Sequence, residues 1–205
     1  MWLLLPPRLR LAVVIATSMV TLAGLQAATD WRTGEEVPAY KLVSAVVFIV
    51  GTVLVFVANA AWRPLWKRWP VLGSLIYPDL NGTWTGTLVT SWDDGSEPRQ
   101  ITIWVKQSLF STSVRSATVE GGAKSTRVFL EADRDAEDFA IWYSYRGTPN
   151  GQLRRRSPEH EGVCRLELAA GPDQRLTGSY FTSRHTSGHL DVTRVSPDRV
   201  AEQAQ

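Results

Sequence analysis

The sequence predicts a two-helix transmembrane hairpin followed by an all-β domain, a small eight-stranded antiparallel up-and-down β-barrel. Three observations carry this. Two uncharged apolar runs, residues 11–28 and 42–62, stand at the front of the chain. Everything after Tyr77 alternates with period two between clusters of turn residues. No helix-patterned stretch separates the alternating segments, which excludes parallel βαβ units and favours antiparallel neighbours on short connections.

The second apolar run carries no ionisable residue for 21 positions, which matches the roughly 20 residues an α-helix needs to cross about 30 Å of hydrocarbon. The first run is diluted by Thr17, Ser18, Thr21 and Gln26 but also lacks charge over 18 residues. Arg8 and Arg10 precede the first run, and Arg63, Lys67 and Arg68 follow the second. The connector sets Asp30, Glu35 and Glu36 against only Arg32 and Lys41. Basic residues near membrane ends stay on the cytoplasmic side, so both termini and the β domain are expected there. The competing reading of the first run is a cleaved signal peptide ending near LQAATD, which leaves the second span as a lone anchor with the same orientation. Gly24, Gly51 and Asn59 are candidate helix-contact positions.

Composition narrows the soluble part. Residues 1–76 hold 7 basic and 3 acidic side chains and residues 77–205 hold 15 and 17. A near-neutral domain has no electrostatic grip on long DNA or RNA. Cys164 is the only cysteine, which rules out an internal disulfide and any multi-cysteine zinc site. His185, His189 and Asp191 have a helical metal spacing laid across a turn between strands, no Gly-x-Ser-x-Gly elbow occurs, and no phosphate-binding glycine loop is present. No catalytic residue, metal or cofactor is therefore expected, and the protein is not read as an enzyme. The expected organisation is a hairpin with juxtamembrane linker over 1–76, a ligand-binding barrel over 77–195 and a disordered tail over 196–205.

Strands are expected near Thr83–Ser91, Arg99–Gln107, Phe110–Thr118, Ser125–Asp133, Phe139–Arg146, Gly162–Ala169, Arg175–Arg184 and Gly188–Val195. The breaks between them are rich in Gly, Pro, Asp or Asn, with DRDAED relying on charge and Asp alone. Eight such strands suit a closed barrel, whose closure removes exposed edges; a β-sandwich is the alternative. Gly82-Thr83-Trp84 resembles the Gly-x-Trp start of lipocalin-type barrels, where the Trp plugs one end. An eight-stranded barrel has room for packed side chains or one small ligand.

Alternate positions of the seventh strand read Leu176, Gly178, Tyr180, Thr182, Arg184, Thr186, Gly188. Aromatic, hydroxyl and guanidinium groups on one face suit something aromatic and anionic better than a dry core, where an unpaired Arg costs several kcal/mol. Tyr143 and Tyr145 share a face of the fifth strand, and tyrosines stack on bases while offering a hydroxyl. Arg184 is the first choice for a phosphate contact, against a role capping the barrel mouth through Glu131 or Asp191. Tyr180, Tyr143, Tyr145, Thr182 and Thr186 are candidate ligand contacts. Trp84 is a further candidate, with burial as an end plug the competing role. Arg154–Arg156 is read as a solvated loop or a basic lid.

The order Asn81-Gly-x-Trp84-x-Gly86, Tyr143-x-Tyr145-x-Gly147-x-Pro149, His160-x-Gly162 and Leu176-x-Gly-x-Tyr180-x-Thr182-x-Arg184-x-Thr186-x-Gly188 resembles the two-transmembrane, β-strand-rich effectors of bacterial CBASS anti-phage systems, also called CD-NTase-associated protein 15. The resemblance runs the length of the chain. It implies an effector of the bacterial inner membrane that binds a cyclic dinucleotide made by a partner CD-NTase, oligomerises and disrupts the bilayer, arresting growth or killing the cell. Gly147 departs from the pattern, where a polar residue such as Asn is expected. Two other readings of the chain are a membrane-anchored barrel holding a lipid or other apolar molecule, and a scaffold for a partner protein.

Overall fold

The structure, a computed structural model, describes residues 1–34, 37–91, 97–133, 138–151, 158–169 and 174–197. The Arg154–Arg156 run, Glu35 and Glu36 of the connector, and all but two residues of the expected tail lie outside them. The chain forms two compact units, residues 1–68 with 108–110 and the remainder from Trp69.

In the first unit, α1 (Pro7–Thr33) starts on Pro7, whose missing N–H is no loss at a helix start, and ends at Gly34 in the left-handed conformation at φ 68. Helix α2 (Ala39–Phe56) passes through a π-helical turn, Val57–Ala61, into α3 (Trp62–Arg68). Residues 7–32 and 40–68 are long and apolar enough to cross a membrane, at mean hydropathy 1.8 and 2.5, and this suggests association with a membrane. Apolar side chains such as Met19, Val20, Val47 and Phe48 are largely exposed along both helices. The hydroxyls that dilute the first run bond within the helix: Thr17 and Ser18 donate to Val13 and Val14 carbonyls at 2.8 Å, and Thr21 to Thr17 at 2.8 Å. Internal satisfaction makes them compatible with lipid. Asn59 likewise donates to the Val55 carbonyl at 2.9 Å. A β-carbon at Gly24 or Gly51 would meet nothing within 4 Å, so within the chain neither marks the close helix contact their size suggested.

In the second unit, the short helix α4 (Val71–Leu75) precedes eight strands: β1 (Gly82–Thr90), β2 (Arg99–Gln107), β3 (Thr112–Thr118), β4 (Gly121–Asp133), β5 (Asp138–Pro149), β6 (His160–Leu168), β7 (Arg175–Thr182) and β8 (Ser187–Ser196). Each pairs antiparallel with the next, and β1 pairs with β8 to close the barrel in sequence order. A barrel, not a sandwich, is thus the architecture. The eight segments follow the sequence reading, but the glycines at 121 and 122 start β4 and Gly147–Pro149 extends β5. Their small or ring-locked side chains do not stop pairing at the strand ends, where Gly121 and Pro149 face each other.

Alternation fills one end of the barrel with a dry core. Trp84, Ile103, Val105, Ile141, Leu166, Leu176 and Val192 are all buried there with Tyr77 and Leu80. The Tyr77 hydroxyl donates to the Ala140 carbonyl at 2.8 Å while its ring meets Phe139 edge-on. Asn81 and Gln107 exchange bonds, Asn81 Nδ2 donating to the Gln107 carbonyl at 3.1 Å and the Gln107 N–H to Asn81 Oδ1 at 2.8 Å. Such mutually satisfied polar groups close the end without a desolvation cost left over.

Candidate functional site

The opposite end of the barrel holds a cavity of about 480 Å³, inside the roughly 300–1,000 Å³ that small-ligand sites occupy. Tyr143 and Tyr145 reach it from β5, His160 and Cys164 from β6, and Tyr180 and Thr182 from β7. Arg184 and Thr186 enter from the β7–β8 turn, and Leu88, Ile101 and Leu190 complete an apolar side.

Three of these rings lie against glycines of the neighbouring strand. Tyr145 pairs with Gly162, His160 with Gly147 and Tyr180 with Gly188. A β-carbon at Gly162 would stand 2.5 Å from the Tyr145 Cζ, one at Gly188 2.5 Å from the Tyr180 Cε1, and one at Gly147 2.6 Å from the His160 Cε1. A missing side chain lets the opposite ring fold along the wall instead of across the bore. Stacking surfaces therefore face the cavity while its volume stays open. Tyr145 also meets His160 edge-on at 6.4 Å and Tyr143 at 6.0 Å.

Arg184 arrives by a turn and not by continued alternation. Strand β7 ends at Thr182, whose N–H donates to the Thr186 carbonyl at 2.9 Å while the His185 N–H donates to the Thr182 carbonyl at 3.1 Å. His185 takes φ 58, the left-handed conformation that a tight reversal needs. The Thr182 hydroxyl accepts the Arg184 N–H at 3.2 Å and lies 2.6 Å from the Thr186 hydroxyl. One threonine thus ties down the loop that carries the guanidinium. The acids weighed as partners for Arg184 are engaged elsewhere: Glu131 accepts from Trp142 at 2.7 Å and lies 3.5 Å from Arg165, and Asp191 pairs with Arg175.

Burial sets the electrostatics. It pushes the Tyr143 and Tyr145 phenols above their usual range, with the Arg184 charge pulling Tyr145 the other way. It lifts the Cys164 thiol to about 12, against a smaller opposing hydrogen bond from Tyr143. His160 is held below its ordinary value by burial first and by Arg184 second, with a bond to the Pro158 carbonyl opposing. Arg184 is thus the cation felt across this wall. The arrangement offers aromatic faces, hydroxyls and a guanidinium, which together take a planar base and an anionic phosphodiester.

Six candidates from the sequence, Arg184, Tyr180, Thr182, Thr186, Tyr143 and Tyr145, line this one cavity. Trp84 stands apart from it, fully buried, donating its indole N–H to the Leu80 carbonyl at 3.0 Å beneath the Arg194 guanidinium. The sequence motif contains His160 without marking it as a ligand contact, and it does not mark the Arg99–Glu120 ion pair, 2.6 Å apart; all three residues also line the cavity. The spacing of His160-x-Gly162 against Tyr145-x-Gly147 held the signal for His160, but only strand register sets each ring on its glycine. Among the described residues no group of three His, Cys, Asp or Glu side chains is placed to hold a metal ion.

Residues 75–194 match the family model of the Cap15 cyclic dinucleotide receptor domain. The chain belongs to the Cap15 family. The match runs from the last residue of α4 through β7 and all but the final two residues of β8. A Cap15 receptor domain binds a cyclic dinucleotide, so the role of this barrel is binding, and its ligand class is the one the cavity suits chemically. No curated protein matches the chain.

Proposed function

We propose that this chain is a membrane effector of bacterial anti-phage defence. A cyclic dinucleotide made by a partner CD-NTase enters the cavity, the liganded barrels self-associate, and the gathered hairpins disrupt the inner membrane, arresting growth or killing the cell. The barrel faces the cytoplasm, where such a messenger is made. The observation that carries this reading is the joining, in one chain, of a Cap15 receptor barrel to two helices able to cross a membrane. Tyr143, Tyr145 and Tyr180 supply base platforms, and Arg184, Thr182 and Thr186 supply phosphodiester contacts. The mixed polar wall counts against a lipid cargo, whose cavity would be lined mainly by Leu, Val and Phe.

The ligand must bind the assembled state more tightly than the single chain, or it shifts nothing. Full-length protein reconstituted in dye-loaded vesicles tests this directly. Leakage and a larger assembly are expected with one member of a cyclic dinucleotide panel and with no linear dinucleotide. Ligand binding without change in size or leakage would overturn the effector step and leave the receptor.

A further inference from the structure

Gly147 and His160 face each other on the cavity wall. In the β5–β6 register Gly147 is the partner of His160, and the imidazole occupies the space that any side chain at 147 would need, its Cε1, Nε2 and Nδ1 at 2.6, 2.7 and 3.3 Å from a β-carbon there. The polar group expected on β5 is absent, and a polar ring from β6 stands on the same patch of cavity wall. Its Nδ1 is 3.4 Å from the Pro158 carbonyl, the ring meets Tyr145 edge-on, and Nε2 is the nitrogen nearer Gly147.

We propose that His160 and Arg184 together hold one phosphodiester of the ligand. The inference rests on a cyclic dinucleotide occupying this cavity. Arg184 and His160 both line it, and the segments that carry them are joined by the Ser183 N–H donating to the Glu161 carbonyl at 2.8 Å. Two donors from different elements, one a fixed fork and one a ring, match the two free oxygens of a phosphodiester better than either alone.

The pairing has a consequence that a purely structural histidine would not have. Burial first and the Arg184 charge second disfavour the imidazolium of the ligand-free protein. A phosphodiester between the two neutralises that repulsion and favours the imidazolium, so binding takes up a proton. The other charged and titratable groups near the ring are placed differently. Tyr145 packs on it from β5 with its phenol pushed upward. Glu161 beside it on β6 is exposed and pairs with Arg146 at 3.1 Å, and Glu159 and His185 are exposed. His189 lies 3.0 Å from the Thr177 hydroxyl on an exposed part of β8.

The test is calorimetric titration of full-length protein in detergent micelles with bis-(3′,5′)-cyclic dinucleotides carrying A, G and U in all pairings, from pH 5.5 to 8. The tightest binder is expected to gain roughly fivefold to tenfold in affinity as pH falls across the interval above the lowered imidazole value, because one proton is linked to binding. His160→Gln is expected to bind more weakly and to lose this dependence, while His189→Gln keeps it. Proton uptake in the wild-type protein, read from heats in buffers of different ionisation enthalpy near pH 7, checks the same point without any variant. Binding with no proton uptake, or a pH slope unchanged in His160→Gln, overturns this assignment and leaves the receptor reading intact. Failure of the whole panel to bind at any pH overturns both.

Discussion

The Tyr145 ring lies across the α-carbon of Gly162, its partner on the adjacent strand, so close that a β-carbon there would stand 2.5 Å from the phenol oxygen. Tyr180 repeats the relationship over Gly188. The glycines shape the cavity as much as the rings do, and they do so by what they omit.

Substitution of these glycines is therefore expected to divide by what surrounds them. At Gly188 a β-carbon would also meet the Val89 carbonyl oxygen at 2.1 Å. Backbone cannot swing aside, so Gly188→Ala should cost about 1–3 kcal/mol as overpacking does. At Gly147 the three nearest atoms all belong to the His160 ring; Gly147→Ala should leave chemical denaturation nearly unchanged and weaken ligand binding by displacing the imidazole. Equal destabilisation by the two would refute the distinction.

Arg184→Ala should weaken cyclic dinucleotide binding by a factor of about 30 or more, since losing a charged partner in a partly buried contact costs upwards of about 2 kcal/mol. Its stability should fall little, because the Thr182 side chain and the turn backbone hold the loop without the guanidinium. Paired calorimetry and thermal unfolding of full-length protein in micelles read the two effects separately. A large loss of stability with unchanged affinity would return Arg184 to a capping role.

Trp84→Ala should show the opposite pattern. The indole is fully buried among the plug residues, and emptying such a site costs about 3–5 kcal/mol. Molecules that remain folded at low temperature should bind ligand with affinity close to wild type. A selective loss of affinity would make Trp84 a ligand contact after all.

Alkaline pH should unfold the barrel early. Cys164, Tyr143 and Tyr77 all have acidities suppressed by burial, each value raised above that of the unfolded chain. For a raised value the stabilisation is complete below the unfolded pKa, about 9 for the thiol and 10 for the phenols. Above it the unfolded chain releases protons that the folded chain retains, and stability falls by about 1.4 kcal/mol per pH unit for each group titrated. Thermal unfolding between pH 8 and 11 measures the slope. Cys164→Ala, which leaves the raised phenols of Tyr77, Tyr143 and Tyr145, should make it shallower from pH 9 to 10; an unchanged slope there would remove the thiol from the account.

Much of this protein is determined by the sequence itself. The hairpin follows from uninterrupted apolar length, because a chain in hydrocarbon must satisfy its backbone within one helix. The strands follow from period-two alternation and turn residues, since a pleated strand puts successive side chains on opposite faces. Tyr143, Tyr145, Tyr180 and Thr182 face one cavity for the same reason, whereas Arg184 and Thr186 reach it through the turn at His185, where alternation stops.

What the tertiary structure alone decided is which side chain meets which across strands. Trp84 belongs to the plugged end and Tyr145 to the open one, although both are aromatic residues on inward faces. His160 reads as an ordinary polar residue beside a loop until the β5–β6 register places it on Gly147. Register joins residues that are 13 positions apart here by Gly147 and His160, and it is fixed by the closure of all eight strands at once. A local pattern gives each strand its two faces; only the closed sheet sets their alignment, and the cavity is a property of that alignment.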